Sequence, residues 1–118
     1  MLQEVKVVQL NGILDSTQSQ EFRQKITDIL EKDNHTKIVL VDFQNVTFMD
    51  SSGLGALVLA FKTLKSENRK LVICSINEQV RILLELTGID KVFEVFPSRE
   101  EFNQVISAQP SAISHQLL

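Results

Sequence analysis

The sequence predicts a single α/β domain, with a four- to five-stranded, mostly parallel (mixed) sheet and about four helices packed against it. Apolar, strand-like segments alternate along the chain with helical segments of about ten or more residues, the pattern of a sheet covered by helices. The 118 residues, 43% of them hydrophobic, suffice for one compact core. We expect the domain to span residues 1–107. Residues 108–118 are expected to form a flexible tail, because its first part, residues 108–112, is polar and interrupted by Pro110.

The first predicted element is a strand over residues 5–10. Asn11-Gly12 is a turn signal, and Ile13-Leu14 could form a second short strand after it. This pattern predicts that the first strand or hairpin pairs antiparallel with its neighbour.

A helix is predicted next. Asp15 with Gln18, or Thr17 with Gln20, can form a capping box at its start. The helix is expected to end before Asp33. Its apolar stripe comprises Phe22, Ile26, Ile29 and Leu30.

The middle of the chain predicts a buried strand followed directly by a helix. Residues 37–42 form a nearly continuous apolar run, and Val46-Thr47-Phe48 continues it toward Asp50. The period then changes to that of a helix, so Ser51 or Ser52 is the expected N-cap. The apolar face of this helix comprises Leu54, Leu57, Val58, Phe61 and Leu64.

Two further strand and helix pairs complete the prediction. Residues 71–74 form a strand, and a helix marked by Val80, Leu83 and Leu84 stops at Gly88, a residue suited to the left-handed position after a helix. Residues 92–95 form the last strand, and Ser98 with Glu101 can cap the last helix. The inner face of that helix is expected to carry Phe102, Val105 and Ile106.

The paired serines at the start of the central helix are the main candidate for chemistry. The first N–H groups of a helix lack internal acceptors and lie at the positive end of its dipole, so a phosphate there is favoured. Gly53 and Gly55 would keep the approach open. A simple structural cap explains one serine equally well, and that interpretation stays open on the residues alone. The Gly-x-Gly spacing lacks the remaining features of a nucleotide-binding loop.

The segment from Val46 to Gly55, with Gly12-Ile13-Leu14-Asp15 upstream, resembles the anti-sigma factor antagonists of bacteria, the stand-alone members of the STAS domain family. The resemblance runs in register to about Ile106. It implies that Ser51 is phosphorylated by a partner that is both an anti-sigma factor and a serine/threonine kinase, while Ser52 stays unmodified. Ile13 stands where members often have glutamate.

The resemblance also implies a partner-switching mechanism. The unphosphorylated chain would bind the anti-sigma factor and release its sigma factor, phosphorylation of Ser51 would abolish binding, and a PP2C-type phosphatase would reset it. The output would be transcription, as in a stress response. The partner-binding residues implied are Asp15, Asp50, Ser52, Gly53 and Leu54.

Two alternatives to this function stay open. The chain could be a STAS-type scaffold in a signalling or transport assembly, or a nucleotide-sensing module. An enzyme is not expected, because Asp50 has no histidine in a suitable element to relay a proton from Ser51.

Composition argues against several partners and cofactors. A formal charge of −3 and a pI near 5.3 give no general attraction to nucleic acid or anionic membranes. We expect a cytoplasmic protein, because no segment is apolar for the ~20 residues that span a bilayer. His35 and His115 lack ligand-spaced neighbours, so no metal or other cofactor is expected. Cys74 ends an apolar strand and is expected to be a buried structural thiol.

Overall fold

The structure, a computed structural model, describes residues 4–108 and contains four strands and four α-helices in alternation. A short 3-10 turn, Ile89–Lys91, lies between the third helix and the fourth strand. The strands are β1 Glu4–Leu14, β2 Thr36–Met49, β3 Lys70–Cys74 and β4 Glu94–Phe96. The helices are α1 Ser16–Lys32, α2 Ser51–Ser66, α3 Glu78–Leu86 and α4 Arg99–Ala108.

The four strands form one sheet in the order β1-β2-β3-β4, and all three pairings are parallel. The predicted α/β architecture, a four- to five-stranded, mostly parallel sheet with about four helices, is therefore confirmed, with four strands that are all parallel. The predicted antiparallel hairpin at the start is wrong, because β1 runs unbroken from Glu4 to Leu14 beside β2. Asn11-Gly12 makes an irregularity in the strand instead of a turn: the register shifts on both sides of it, and Gly12 has a φ of +73°.

One face of the sheet carries the main core. Strand order follows chain order, and right-handed crossovers place the connecting helices on the same side. Buried residues of α1, α2 and α3 accordingly pack in a single cluster with Val39 and Val41 of β2. The opposite face has a smaller cluster, in which Phe102 of α4 packs with Ile38, Leu40, Val72 and Cys74.

Several predicted boundaries are confirmed. Helix α1 ends at Lys32, before Asp33, and Gly88 follows α3 in the left-handed conformation with a φ of +74°. Ser98 caps α4, because its Oγ accepts a hydrogen bond from the N–H of Glu101 at 3.1 Å. The last strand begins later than predicted, at Glu94. Val105 does not lie on the inner face of α4 but is exposed, whereas Phe102 is buried.

Cys74 is fully buried and His35 is exposed. The predicted tail begins at Ala108, which is the last residue of α4, and its residues 109–118, with His115, lie outside the described residues. Within residues 4–108, no helix is long and apolar enough to cross a membrane.

Candidate functional site

The site lies at the carboxyl-terminal edge of β1 and β2, where two neighbouring parallel strands each lead into a helix. Strand β1 turns into α1 at Asp15, and β2 turns into α2 at Asp50. The Asp50 N–H donates to the carbonyl of Leu14 at 3.3 Å and joins the two turns. Both helix N-termini, whose first N–H groups lack an acceptor inside the helix, therefore lie at the same edge.

Both helices are capped by aspartate. The Asp15 carboxylate accepts hydrogen bonds from the N–H groups of Thr17 and Gln18, as the sequence predicted. The Asp50 carboxylate accepts one from Gly53 at 3.0 Å. The prediction that Ser51 or Ser52 is the N-cap of α2 is therefore wrong: Asp50 takes that place, and the serines are the first two helical residues, both exposed.

Gly53 allows α2 to begin this close to β1. A Cβ atom at position 53 would lie 2.5 Å from the carbonyl oxygen of Leu14, 2.8 Å from its Cγ and 2.9 Å from the Cγ of Met49. Such distances are far inside van der Waals contact. At Gly55, by contrast, an added Cβ would meet nothing within 4 Å. Gly53 is therefore a packing requirement of the site, whereas Gly55 faces open space.

Two side chains of the third crossover hold the end of β2 on its other side. Gln79 forms a pair of 2.8 Å hydrogen bonds with the N–H and the carbonyl of Met49, in place of a neighbouring strand. Asn77 donates to the carbonyls of Val46 and Thr47 and also caps α3 through the N–H of Val80. The backbone that leads into Asp50 is thus fixed although β3 has already ended.

A pocket of about 250 Å³ lies between the first turns of α1 and α2. Helix α1 contributes Ser16, Ser19, Gln20 and Arg23, and α2 contributes Ser51, Ser52, Gly55 and Ala56. Six of these eight lining residues are polar, and one of them, Arg23, is positively charged. Sequence reasoning missed the α1 side of it, although the spacing of Ser16, Ser19 or Gln20, and Arg23 places them on one helix face.

Two exposed apolar side chains border the site. Ile13 and Phe48 are paired in the register of β1 and β2 and are 53% and 45% exposed. Gly53 and Leu54, two of the predicted partner-binding residues, are instead buried. They shape the surface from beneath, whereas Ser51 and Ser52 present exposed atoms and Asp15 and Asp50 are partly buried.

The arrangement is suited to presenting a hydroxyl group and to holding an anion beside it. Ser51 is exposed at the start of α2, where the helix dipole favours negative charge. Among the described residues there is no cluster of three or more His, Cys, Asp or Glu side chains that could hold a metal ion.

Comparison with known proteins identifies the family to which this chain belongs. The STAS domain model matches residues 2–102, so this chain belongs to the STAS domain family. It is 30% identical over 92 residues to an anti-sigma F factor antagonist of Paenibacillus polymyxa, with 78% of each chain covered. It is also 30% identical over 88 residues to an anti-sigma-B factor antagonist of Staphylococcus aureus, covering 75% of this chain and 80% of that one.

Solved structures share the fold. An anti-sigma factor antagonist described as putative, from Thermotoga maritima, superposes with a TM-score of 0.77 at 23% identity, covering 87% of each chain. The phosphorylated form of the Bacillus cell fate determinant SpoIIAA gives 0.67 at 21% identity, covering 87% of this chain and 92% of that one. The STAS domain of a SulP transporter from Vibrio cholerae superposes with a TM-score of 0.71 at 23% identity, covering 97% of this chain and 87% of that one.

Proposed function

We propose that this protein is an anti-sigma factor antagonist whose binding is switched off by phosphorylation of Ser51. The observation that carries the proposal is the exposed Ser51 at the first position of α2, directly after the capping Asp50. The proposal is supported by the two relatives at 30% identity, both named anti-sigma factor antagonists. The unphosphorylated chain binds the anti-sigma factor and releases the sigma factor, so the output is transcription.

The switch acts at the interface, because the fold tolerates the modification. Phosphorylation adds a charge of about −1.5 to −2 at a helix N-terminus, where the dipole favours it. In a complex, the same dianion has to lose water or lie beside the partner's groups, which costs several kcal/mol when it is unpaired. Each 1.4 kcal/mol changes affinity tenfold, so two or three such steps abolish binding.

The binding surface surrounds Ser51. The exposed pair Ile13 and Phe48 supplies apolar contact area, and Ser52 with the partly buried Asp15 and Asp50 supplies polar contacts. The partner is an anti-sigma factor with serine kinase activity, which brings the ATP and Mg²⁺. A PP2C-type phosphatase restores the hydroxyl. In this scheme the protein acts in the cytoplasm as a substrate and binding partner, and it catalyses no reaction itself.

A pull-down from lysate of the native host tests this function. Ser51→Ala and Ser51→Asp baits are compared side by side, and retained proteins are identified by mass spectrometry. We expect the alanine bait to retain an ATP-binding anti-sigma kinase and the aspartate bait to lose it. Ser66→Asp, which adds the same charge at the exposed far end of α2, is the matched control and should retain the partner. A Ser51→Asp bait with full partner affinity contradicts the proposal.

The second candidate is a scaffold in a signalling or transport assembly. The STAS domain of a SulP transporter has the same fold, so this fold also occurs in a transport assembly, but the two relatives at 30% identity support the first function over this one. The scaffold function predicts that both Ser51 baits retain the same non-kinase proteins and that Ser51 carries no phosphate in cells.

A further inference from the structure

The pocket between α1 and α2 contains a buried hydroxyl group without a hydrogen-bond partner. Ser19 lines this pocket and is only 2% exposed, and its Oγ has no partner among the described residues. Hydroxyl groups inside a helix usually bond to a carbonyl of the preceding turn. Thr63, Ser66 and Thr87 do so in this chain. Because buried polar groups are nearly always satisfied, the Ser19 hydroxyl is available for a group absent from the structure.

A guanidinium group lies one turn further along α1. Arg23 lines the same pocket and forms no ion pair with any residue between positions 4 and 108. The two carboxylates at this edge, Asp15 and Asp50, already accept backbone N–H groups as helix caps. The positive charge of Arg23 is therefore left for an anion.

Helix geometry adds donors on the opposite wall. The Asp50 carboxylate accepts a hydrogen bond from the N–H of Gly53, and the Asp50 carbonyl accepts one from the N–H of Leu54. The N–H groups of Ser51 and Ser52 lie in the first turn of α2 and have no intrahelical acceptor. Donors and positive potential thus meet from both helices around a space several times the volume of a water molecule.

We propose that this pocket holds the phosphoryl group of phosphorylated Ser51, with Ser19 donating a hydrogen bond to it and Arg23 pairing with its charge. The inference rests on the proposed function for the identity of the modified serine. Charge-assisted hydrogen bonds from a guanidinium group to phosphate are among the stronger polar contacts in proteins. The phosphorylated form is therefore stabilised by its own chain, and a phosphatase has to break this contact before it can reach the phosphorus atom.

The test uses the full chain with phosphoserine incorporated at position 51 during translation, so that no kinase is needed. The second pKa of the phosphate, ordinarily about 6, is read from the ³¹P chemical shift as a function of pH at low salt. A cation within about 4–6 Å favours the dianion, so we expect the phosphate pKa to be lowered by about 1 unit. Arg23→Gln should raise the phosphate pKa most of the way back to its ordinary value, and Ser19→Ala should raise it by a smaller amount. Arg81→Gln, the same change at an exposed position of α3, should leave the phosphate pKa as low as in the parent protein.

An equal phosphate pKa in the parent protein and in Arg23→Gln overturns the inference. Thermal denaturation of the same variants without phosphate verifies that each is folded. A second measurement compares melting temperatures: phosphoserine should raise Tm in the parent protein, and most of that increase should be lost when Ser19 and Arg23 are both replaced, leaving the part due to the helix N-terminus. These experiments involve no partner, so their failure leaves the partner-switching proposal standing, and failure of the pull-down leaves this pocket standing.

Discussion

At the scale of single residues, the site depends on one position where a side chain cannot fit and one where a carboxylate caps a helix. Gly53 lets α2 start against Leu14 and Met49, and Asp50 sets where the helix begins. Neither residue is a candidate for chemistry. Both determine where the hydroxyl of Ser51 lies.

The two glycines of the motif should differ sharply on substitution. Gly53→Ala forces a methyl group against the Leu14 carbonyl, and we expect a loss of about 1–3 kcal/mol in the free energy of unfolding, as for other overpacked sites. Gly55→Ala is the matched control. It meets open space and should gain up to about 1 kcal/mol from helix propensity. Urea denaturation measures both, and equal effects would refute the steric argument.

Asp50 should contribute to stability because it caps α2. Asp50→Ala removes the acceptor for the Gly53 N–H and should cost about 0.5–2 kcal/mol of stability, whereas Asp50→Asn keeps an acceptor oxygen and should cost less. Ser52→Ala should change stability little, because Ser52 is not the cap. A loss for Ser52→Ala as large as for Asp50→Ala would contradict the assignment.

The sequence located this helix start only to within two residues. Asp, Ser and Asn all rank as good caps, so Asp50, Ser51 and Ser52 are equivalent by residue type. The position was decided by the tertiary contact of Gly53 with Leu14, which no local pattern contains.

Among the elements, the long β2 strand ends with a strand on one side and with side chains in place of a strand on the other. Its polar residues Gln44 and Asn45 interrupt the apolar pattern, and a single continuous strand was not predicted from it. Pairing with β1 on one side and hydrogen bonds from Asn77 and Gln79 on the other keep it extended to Met49. The helix-capping role of Asn77 could be found locally, but its contact with β2, more than 30 residues away, could not.

Loss of Gln79 should loosen the backbone before Ser51. Gln79→Ala leaves the N–H and carbonyl of Met49 without their partner, and we expect a loss of about 1–3 kcal/mol in stability. Faster hydrogen exchange at the Met49 amide is the local measurement. Gln24→Ala removes an exposed side-chain hydrogen bond on α1 and serves as the matched control, with little expected change. Unchanged protection at Met49 would show that Gln79 does not hold the strand.

At the scale of the whole molecule, the two faces of the sheet are covered unequally. Alternating strands and helices predicted the layer, and right-handed crossovers with sequential strand order explain why α1, α2 and α3 share one face. The opposite face depends on α4. There, Arg99 donates at 2.9 Å to Asp42, whose side chain is 1% exposed. This ion pair joins residues 57 positions apart, and the sequence alone did not predict it.

Breaking that pair should destabilise the whole domain. Arg99→Gln leaves the buried Asp42 carboxylate without its cation. We expect a loss of about 2–3 kcal/mol, below the range for fully buried pairs because Arg99 is itself partly exposed. Arg81→Gln, which removes a solvent-exposed pair with Glu78, should cost under about 1 kcal/mol. Equal losses in thermal or urea unfolding would mean that the pair does not secure α4.

The thiol of Cys74 lies beneath α4, so its reactivity measures how closely α4 covers that face of the sheet. Burial, with the nearby Asp42 carboxylate adding to it, raises the pKa of Cys74, so the reactive thiolate is scarce at neutral pH. We expect alkylation of Cys74 to be slow in the native protein up to at least pH 8 and fast in denaturant. Loss of the Arg99 charge by itself raises the pKa of Cys74 further, so an acceleration of alkylation in Arg99→Gln would report greater exposure of the thiol as α4 loosens. Rapid labelling of the native parent would contradict a buried structural thiol.

The irregular first strand also protects the protein from its own copies. Unpaired strand edges invite neighbouring molecules to extend a sheet, which is a common route to aggregation. One outer strand here, β4, offers only three residues. The other, β1, offers eleven, but its three register shifts and the left-handed Gly12 distort the hydrogen-bonding groups that a second molecule would have to match. The sequence pattern at Asn11-Gly12 predicted a turn. The distortion found there instead keeps this edge from acting as a template for intermolecular strand addition.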